Sequence, residues 1–246
     1  MGKLIILSGP SCVGKSPLDK ALGRFYPKIR NELKHLVLYN SRAPRPGELD
    51  GRDYHFRSRE EIKKLGEKDH IVSMEVRGDL QALDIKELKQ QLNEGDLFFE
   101  GNPFVGRTLQ THPALEDIVK ISVFMSPLSK EEMAFLTSDE SNADPEKIVT
   151  DIMRRKLLRR TRKQKGEMSL KDLENIERRA SSAYTELKDA HYFDFVIPNH
   201  DGEDSENWDA FYYPVGDARK SLLSFVNIME GLPCDFCEHW DESLIS

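Results

Sequence analysis

The chain predicts an α/β fold of three layers built around a mainly parallel sheet. Short apolar runs alternate with capped helical stretches along most of its 246 residues, the pattern of strands joined by helical crossovers. The first run, Lys3-Leu4-Ile5-Ile6-Leu7-Ser8, is apolar without alternation and stops at Gly9-Pro10. A strand covered on both faces reads this way.

The elements follow in order. Lys15 to Phe25 forms a helix, with Leu18 and Leu22 one turn apart on one face. Leu36 to Tyr39 is a second strand, and Arg42 to Gly51, dense in Pro and Gly, is a loop or irregular edge. Ser58-Arg59-Glu60-Glu61 has the form of a capping box and opens a helix to about Leu65. Ile71 to Val76 reads as a strand. Asp84-Ile85-Lys86-Glu87 caps a helix that Gly95 stops. Leu97-Phe98-Phe99 and Ile118 to Met125 are further strands. Ser129-Lys130-Glu131-Glu132 is another capping box, and Asp144-Pro145 puts proline at the first position of a long basic helix. Ser169 to Ala190 is helical, and Phe193 to Ile197 is a strand ending at Pro198-Asn199. An acidic loop, a helix over about Ala218–Met229 and a polar tail close the chain. No internal repeat is visible.

The composition excludes several classes. With 38% hydrophobic and 32% charged residues the chain is globular, and no stretch approaches the ~20 apolar residues of a membrane helix. The apolar start is too short for a secretory leader. Three cysteines, Cys12, Cys234 and Cys237, make no disulfide framework, which points to a reducing cytoplasm. The net charge is −7, yet eight of the twelve residues 154–165 are Lys or Arg and none is acidic, which leaves −15 elsewhere. That acidic remainder argues against nucleic acid as a partner, because it repels phosphates outside the basic stretch. A solvated helix face and a cationic lid over a polyphosphate remain as readings of the stretch.

Gly9-Pro10-Ser11-Cys12-Val13-Gly14-Lys15-Ser16 fits the pattern G-x4-G-K-[ST] and sits between a strand and a helix, the context it requires. Two glycines let the backbone wrap a polyphosphate, with N–H groups and the helix N-terminus pointing inward. This marks a P-loop NTPase fold. Lys15 would meet the β- and γ-phosphates of ATP, and the Ser16 hydroxyl would reach Mg²⁺. Cys12 and Val13 serve through their backbone, and Pro17 falls in the first helical turn, where a missing N–H costs little.

A phosphate loop names a donor and leaves the acceptor open. Arg42-Ala43-Pro44-Arg45-Pro46-Gly47-Glu48 sets two guanidiniums three residues apart on a proline-stiffened loop, a spacing suited to bidentate capture of a monophosphate, although such a loop taken alone reads first as a surface linker. The longer run from Ser41 to Phe56, including Gly51-Arg52-Asp53-Tyr54-His55-Phe56, closely resembles the GMP-binding signature of guanylate kinases. By that resemblance Arg42, Arg45 and Tyr54 hold the acceptor phosphate. Weaker likenesses follow in family order. Val123 to Ser129 resembles the strand and turn before the lid, and Ile176 to Glu186 resembles the segment that carries a phosphate-clamping arginine, here Arg179. Phe193 to Asn199 resembles the last core strand, with Asn199 near the donor adenine. The basic stretch becomes a lid, longer than the family's, from which Arg162 is the candidate contact to the transferred phosphoryl group.

The chain departs from the family in its base-recognition residues. A family Ser four residues before the first arginine is Leu38, and a Gly-Asn-x-Tyr-Gly-[Thr/Ser] segment reads Gly78-Asp79-Leu80-Gln81-Ala82-Leu83. Glu75 and Glu100 are candidate replacements for the family's acids at the acceptor. In the tail, Cys234-Asp235-Phe236-Cys237-Glu238-His239 carries one CxxC without a second pair, a weak zinc pattern, and a loose polar tail is the preferred reading. The acidic stretch from His200 to Glu206 reads as solvated.

The resemblance thus implies residues 1–200 as a guanylate-kinase-like unit with core 1–37, 91–133 and 169–200, an acceptor-binding insertion 38–90 and a lid 134–168. Residues 201–246 form an extension. The implied reaction is phosphoryl transfer from ATP to a nucleoside monophosphate, GMP first. A P-loop kinase acting on another phosphorylated small molecule such as a sugar phosphate, and an inactive phosphopeptide-binding module, are the alternatives. The expected partners are small-molecule nucleotides, with no nucleic acid and no membrane, and the expected state is a monomer or homodimer.

Overall fold

The structure, a computed structural model, describes residues 2–45, 47–138 and 140–245; Pro46 of the arginine-proline loop lies outside them. In chain order the strands are β1 (Leu4–Ser8), β2 (Lys34–His35), β3 (Tyr39–Asn40), β4 (His55–Phe56), β5 (Ile71–Val76), β6 (Asp79–Asp84), β7 (Leu97–Gly101), β8 (Lys120–Ser126) and β9 (Phe195–Pro198). The α-helices are α1 (Lys15–Phe25), α2 (Pro27–Glu32), α3 (Arg59–Leu65), α4 (Ile85–Leu92), α5 (Pro103–Thr111), α6 (Lys130–Thr137), α7 (Pro145–Lys165), α8 (Leu170–Ser181), α9 (Ala183–Lys188) and α10 (Gly216–Glu230).

The main sheet has the order β2-β7-β1-β8-β9, and every pair is parallel. β1 is central and buried throughout. Leu4 and Ile6 enter one apolar cluster, with Leu88, Leu109, Met153 and Leu187 from the helices on that face. Ile5 and Leu7 enter the other, with Leu18, Leu22, Leu222 and Phe225 from α1 and α10. Helices on both faces produce the three layers, and they explain why the β1 sequence does not alternate. As in other open α/β sheets, the C-terminal ends of β1 and its neighbours are where a ligand crevice forms.

A second sheet, ordered β4-β3-β6-β5, stands beside the first. β5 and β6 are a hairpin whose tip is Arg77-Gly78, both at positive φ (53° and 90°), the two-residue turn that matches strand twist. α3 covers this sheet through Ile62, which packs with Ile71, Leu80 and Ala82. Its capping box is complete: Ser58 accepts from the Glu61 N–H, and the Glu61 carboxylate accepts from the Ser58 N–H.

Three expectations are corrected. The single strand over Leu36 to Tyr39 is split between sheets: the Leu36 N–H extends the pairing along β7 by bonding Phe98 O, while Leu38 O already accepts from His55 in the second sheet. The helix over Ser169 to Ala190 breaks at Ser182, whose hydroxyl bonds Glu186 Oε1 at 2.8 Å. The tail is not loose. Glu238 and Val196 exchange backbone bonds of 2.8 Å, Trp240 is buried and Cys234 is disulfide-bonded to Cys237. Among the described residues no group of His, Cys, Asp or Glu is arranged to hold a metal ion, and no helix is long and apolar enough to cross a membrane.

Candidate active site

The turn from β1 into α1 is drawn tightly round its own lysine. Lys15 is buried, and its ammonium donates to Gly9 O at 2.7 Å and Pro10 O at 2.8 Å. Burial pulls its pKa down, with the charges of Glu203, Glu100 and Glu186 opposing. Gly14 stands at φ 113°, and a Cβ there would meet Asn199 Nδ2 at 2.5 Å and Trp208 Cζ2 at 3.2 Å, so two independent constraints demand glycine. α1 has no acidic residue in its first turn and no side-chain cap bond. Its N-terminal N–H groups are therefore the kind that an anion satisfies.

Other loop residues are fixed from outside. Cys12 is buried in the left-handed region (φ 72°), and burial, then the charge of Glu203, pushes its thiol up to about 12. Ser11 Oγ accepts from Arg77 Nη1 at 2.8 Å. Val13 lies in the core beneath the loop, and Pro17 lies in the first turn of α1. Asn199, expected near an adenine, is fully buried. Its amide donates to Val13 O at 2.7 Å and Asp201 O at 2.8 Å, so it braces the loop backbone and is not turned to a base.

Ser16 Oγ donates to Glu100 Oε1 at 2.8 Å. Glu100, next to last in β7, stands beside Leu7 of β1, so parallel pairing delivers its carboxyl to the loop. Burial raises its pKa, against the pull of Lys15 and the Ser16 bond. Glu100, expected at the acceptor, bonds the phosphate loop through Ser16 and also bears on Tyr54 of the clamp, whose pKa its charge helps raise. Glu75 is corrected further: it lies on the exposed face of β5 and pairs with Arg59, outside the crevice.

The arginine-proline loop presents Arg42 over two aromatic rings, those of Tyr54 and Phe56. Arg42 gives both terminal nitrogens to Glu48 at 2.6 Å and stacks 5.0 Å from the centre of the Tyr54 ring. The same Glu48 carboxylate accepts from the Arg45 N–H at 2.7 Å. One acid therefore ties the Arg42 guanidinium to the Arg45 backbone. Burial and then the charge of Arg42 lower the Arg45 pKa, and Arg160 adds to this. Arg179 is pulled down to about 9, by burial first and then by Arg45, Arg160 and Arg77. Four guanidiniums converge, an arrangement that polyanion binding relieves.

On α7 the arginine that faces inward is Arg160, where Arg162 was expected. Val149, Met153 and Leu157 form the buried stripe of α7. Arg160 lies one turn beyond Leu157 and faces inward, donating to Glu203 at 2.7 Å. Arg162 is exposed on the other side of the helix. Arg77, Glu186, Glu48 and Arg160 were not singled out from the sequence. The left-handed hairpin tip places Arg77 against Ser11 and the fully buried Glu186, a long-range meeting with no local signal.

A guanylate kinase family model matches residues 1–156. A guanylate kinase of Synechococcus sp. (strain JA-3-3Ab) is 32% identical over 216 residues, covering 87% of this chain and 83% of that one. The chain belongs to the guanylate kinase family. A guanylate kinase of Pseudomonas fluorescens (strain Pf0-1) is 46% identical over 101 residues, a match spanning 40% of this chain and about half (47%) of the relative. The solved guanylate kinase from Anaplasma phagocytophilum shares the fold, with a TM-score of 0.52 over 94% of this chain and 85% of that one, at 19% identity. In this guanylate kinase family member the strands of the second sheet next to the arginine-proline loop carry buried apolar side chains. There Leu38 and Leu83 are buried in one cluster with Leu36 and Val76, and Gln81 is buried nearby on β6.

Proposed function

We propose that this chain transfers the γ-phosphoryl group of ATP to GMP, giving ADP and GDP. The observation that carries the reading is that the Lys15 loop is flanked by two guanidiniums, Arg77 bonded to Ser11 and Arg160 bonded to Glu203, whose own N–H bonds Cys12 O. Donor phosphates rest on the loop N–H groups and Lys15, and the acceptor phosphate rests on Arg42, Arg45 and Tyr54. The bridging cations neutralise charge on the group in transit, so positioning and electrostatics do the work and no covalent intermediate is needed. Residues 38–90 act as the acceptor insertion and 134–168 as the lid.

Ser16 and Glu100 fit Mg²⁺. They bring two hard oxygens to one point beside the phosphates, and Mg²⁺ takes few protein oxygens and completes its shell with phosphate and water. When bound, the ion supplies positive charge to the β- and γ-phosphates. The pair also favours catalysis over a phosphopeptide-binding role, which needs no metal ligand.

The apolar base end supports a second reading, an acceptor other than GMP that keeps the monophosphate. Leu38 cannot donate the hydrogen bond a serine would give, a loss of about 0.5–1.5 kcal/mol. Measuring kcat/KM for GMP, AMP, UMP, CMP and a sugar phosphate separates the two. GMP should lead, and a dominant non-guanine acceptor would replace the first reading with the second.

A further inference from the structure

We propose that Glu203, on the acidic loop after β9, is a positioning residue that seats the Arg160 guanidinium beside the phosphate loop. The proposal rests on the kinase reading above and deepens it.

The loop is tied to the phosphate loop by its backbone. The Glu203 N–H donates to Cys12 O at 3.1 Å, and Gly202 packs so closely that a Cβ would stand 2.3 Å from the same oxygen. Asp201 holds the loop in shape: its carboxylate accepts from Ser205 Oγ, Asn207 Nδ2 and the N–H groups of Asp217 and Ala218 at 2.8–3.2 Å. Trp208 Nε1 adds a bond to Asp201 O at 2.7 Å. The lid docks on this frame. Lys156 donates to His200 O at 2.5 Å, Arg159 pairs with Asp204 at 2.8 Å and Arg160 pairs with Glu203 at 2.7 Å.

Arg160 and Glu203 are each mostly buried (16% exposed). Only Nη1 of Arg160 is spent on Glu203, and Nε is buried without a partner. A buried N–H left open costs free energy unless a ligand takes it. Its charge lowers the pKa of Arg45 and of Arg179, so the three cations lie within electrostatic reach of one another. The acidic loop is thus a two-ended strut, with its backbone on the phosphate loop and its carboxylate on the lid arginine.

The test is a double-mutant cycle of Glu203→Ala and Arg160→Ala, with Glu203→Gln as a shape-preserving variant and Asp209→Asn as an exposed control. With Mg-ATP and GMP, either truncation should lower kcat by about a hundredfold, the cost of misplacing a charge-stabilising group. KM for GMP should hold, and Glu203→Ala should add nothing once Arg160 is gone. Glu203→Gln should fall between. Independent losses, or a Glu203→Gln protein that binds ATP more tightly at full kcat, would overturn the proposal, the second by making Glu203 a competitor of phosphate. Calorimetry with ADP keeps the test separate from the kinase reading: Glu203→Ala should weaken ADP only when Arg160 is present. If GMP is not phosphorylated at all, that coupling alone decides, and its absence refutes the seat.

Discussion

The Ser16 hydroxyl and the Glu100 carboxylate meet at 2.8 Å where the first turn of α1 faces the end of β7. Parallel pairing of β1 with β7 makes this meeting a property of the fold, because Glu100 stands in register with Leu7, just before the phosphate loop. Ser16→Ala or Glu100→Gln should raise the Mg²⁺ concentration needed for half-maximal activity. The expected loss is about 1–3 kcal/mol, that of a buried polar group deprived of its partner. An unchanged Mg²⁺ dependence would place the ion elsewhere.

The converging guanidiniums should make the ligand-free protein weaker than its complex. Arg179→Met should raise the melting temperature without ligand while lowering kcat by orders of magnitude, since repulsion among Arg45, Arg160, Arg77 and Arg179 is removed along with the clamp. Pyrophosphate should stabilise the parent protein and do less for the variant, and the difference should shrink in high salt. A variant that melts lower than the parent would show that Arg179 packs more than it repels.

His200 links α6 to α10. Its ring bonds Asp217 at 2.6 Å and Glu132 at 2.9 Å. Burial works against its charge, but those two carboxylates outweigh it and raise the pKa above 6.5. The stabilisation is therefore full below 6.5 and fades as pH rises through the raised value. Melting curves of the parent protein and His200→Gln should diverge at pH 6 and converge in alkaline buffer. A gap that widens with pH would reverse the assignment.

Cys12 should be chemically silent despite its place in the phosphate loop. Burial and the nearby Glu203 push its thiol up to about 12, so almost no thiolate exists near neutral pH. Iodoacetamide followed by mass spectrometry should leave Cys12 unmodified in the native protein and label it in denaturant. After reduction, Cys234 and Cys237, which are only partly buried, should react first.

Local signals carried most of the frame. The β1 run, the glycine-lysine loop and the capping boxes at Ser58 and Ser129 each depend on neighbours within a turn, and each folds as read. The arginine-proline loop was legible through its resemblance to a known signature, because Arg42, Arg45 and Tyr54 lie within one short segment, whereas the part played by Glu48 was not. Arg160 was legible in principle: from Met153 an α-helix comes round to position 160 on the same side and to 162 on the far side. The buried stripe needed for that reading is sparse among eight charges. Arg77 was not legible, because its partners Ser11 and Glu186 lie 66 and 109 residues away. Leu36 to Tyr39 looks like one strand because every side chain there suits a strand, while the backbone changes partner midway.

Phosphoryl transfer itself is the most direct test. Purified protein with Mg-ATP should release ADP and form GDP when GMP is added, and Lys15→Ala should fall by orders of magnitude on the same substrates. GDP formation by the parent protein, lost with Lys15, is the result we expect. Absence of GDP at saturating ATP and GMP, or turnover that survives loss of Lys15, would contradict it.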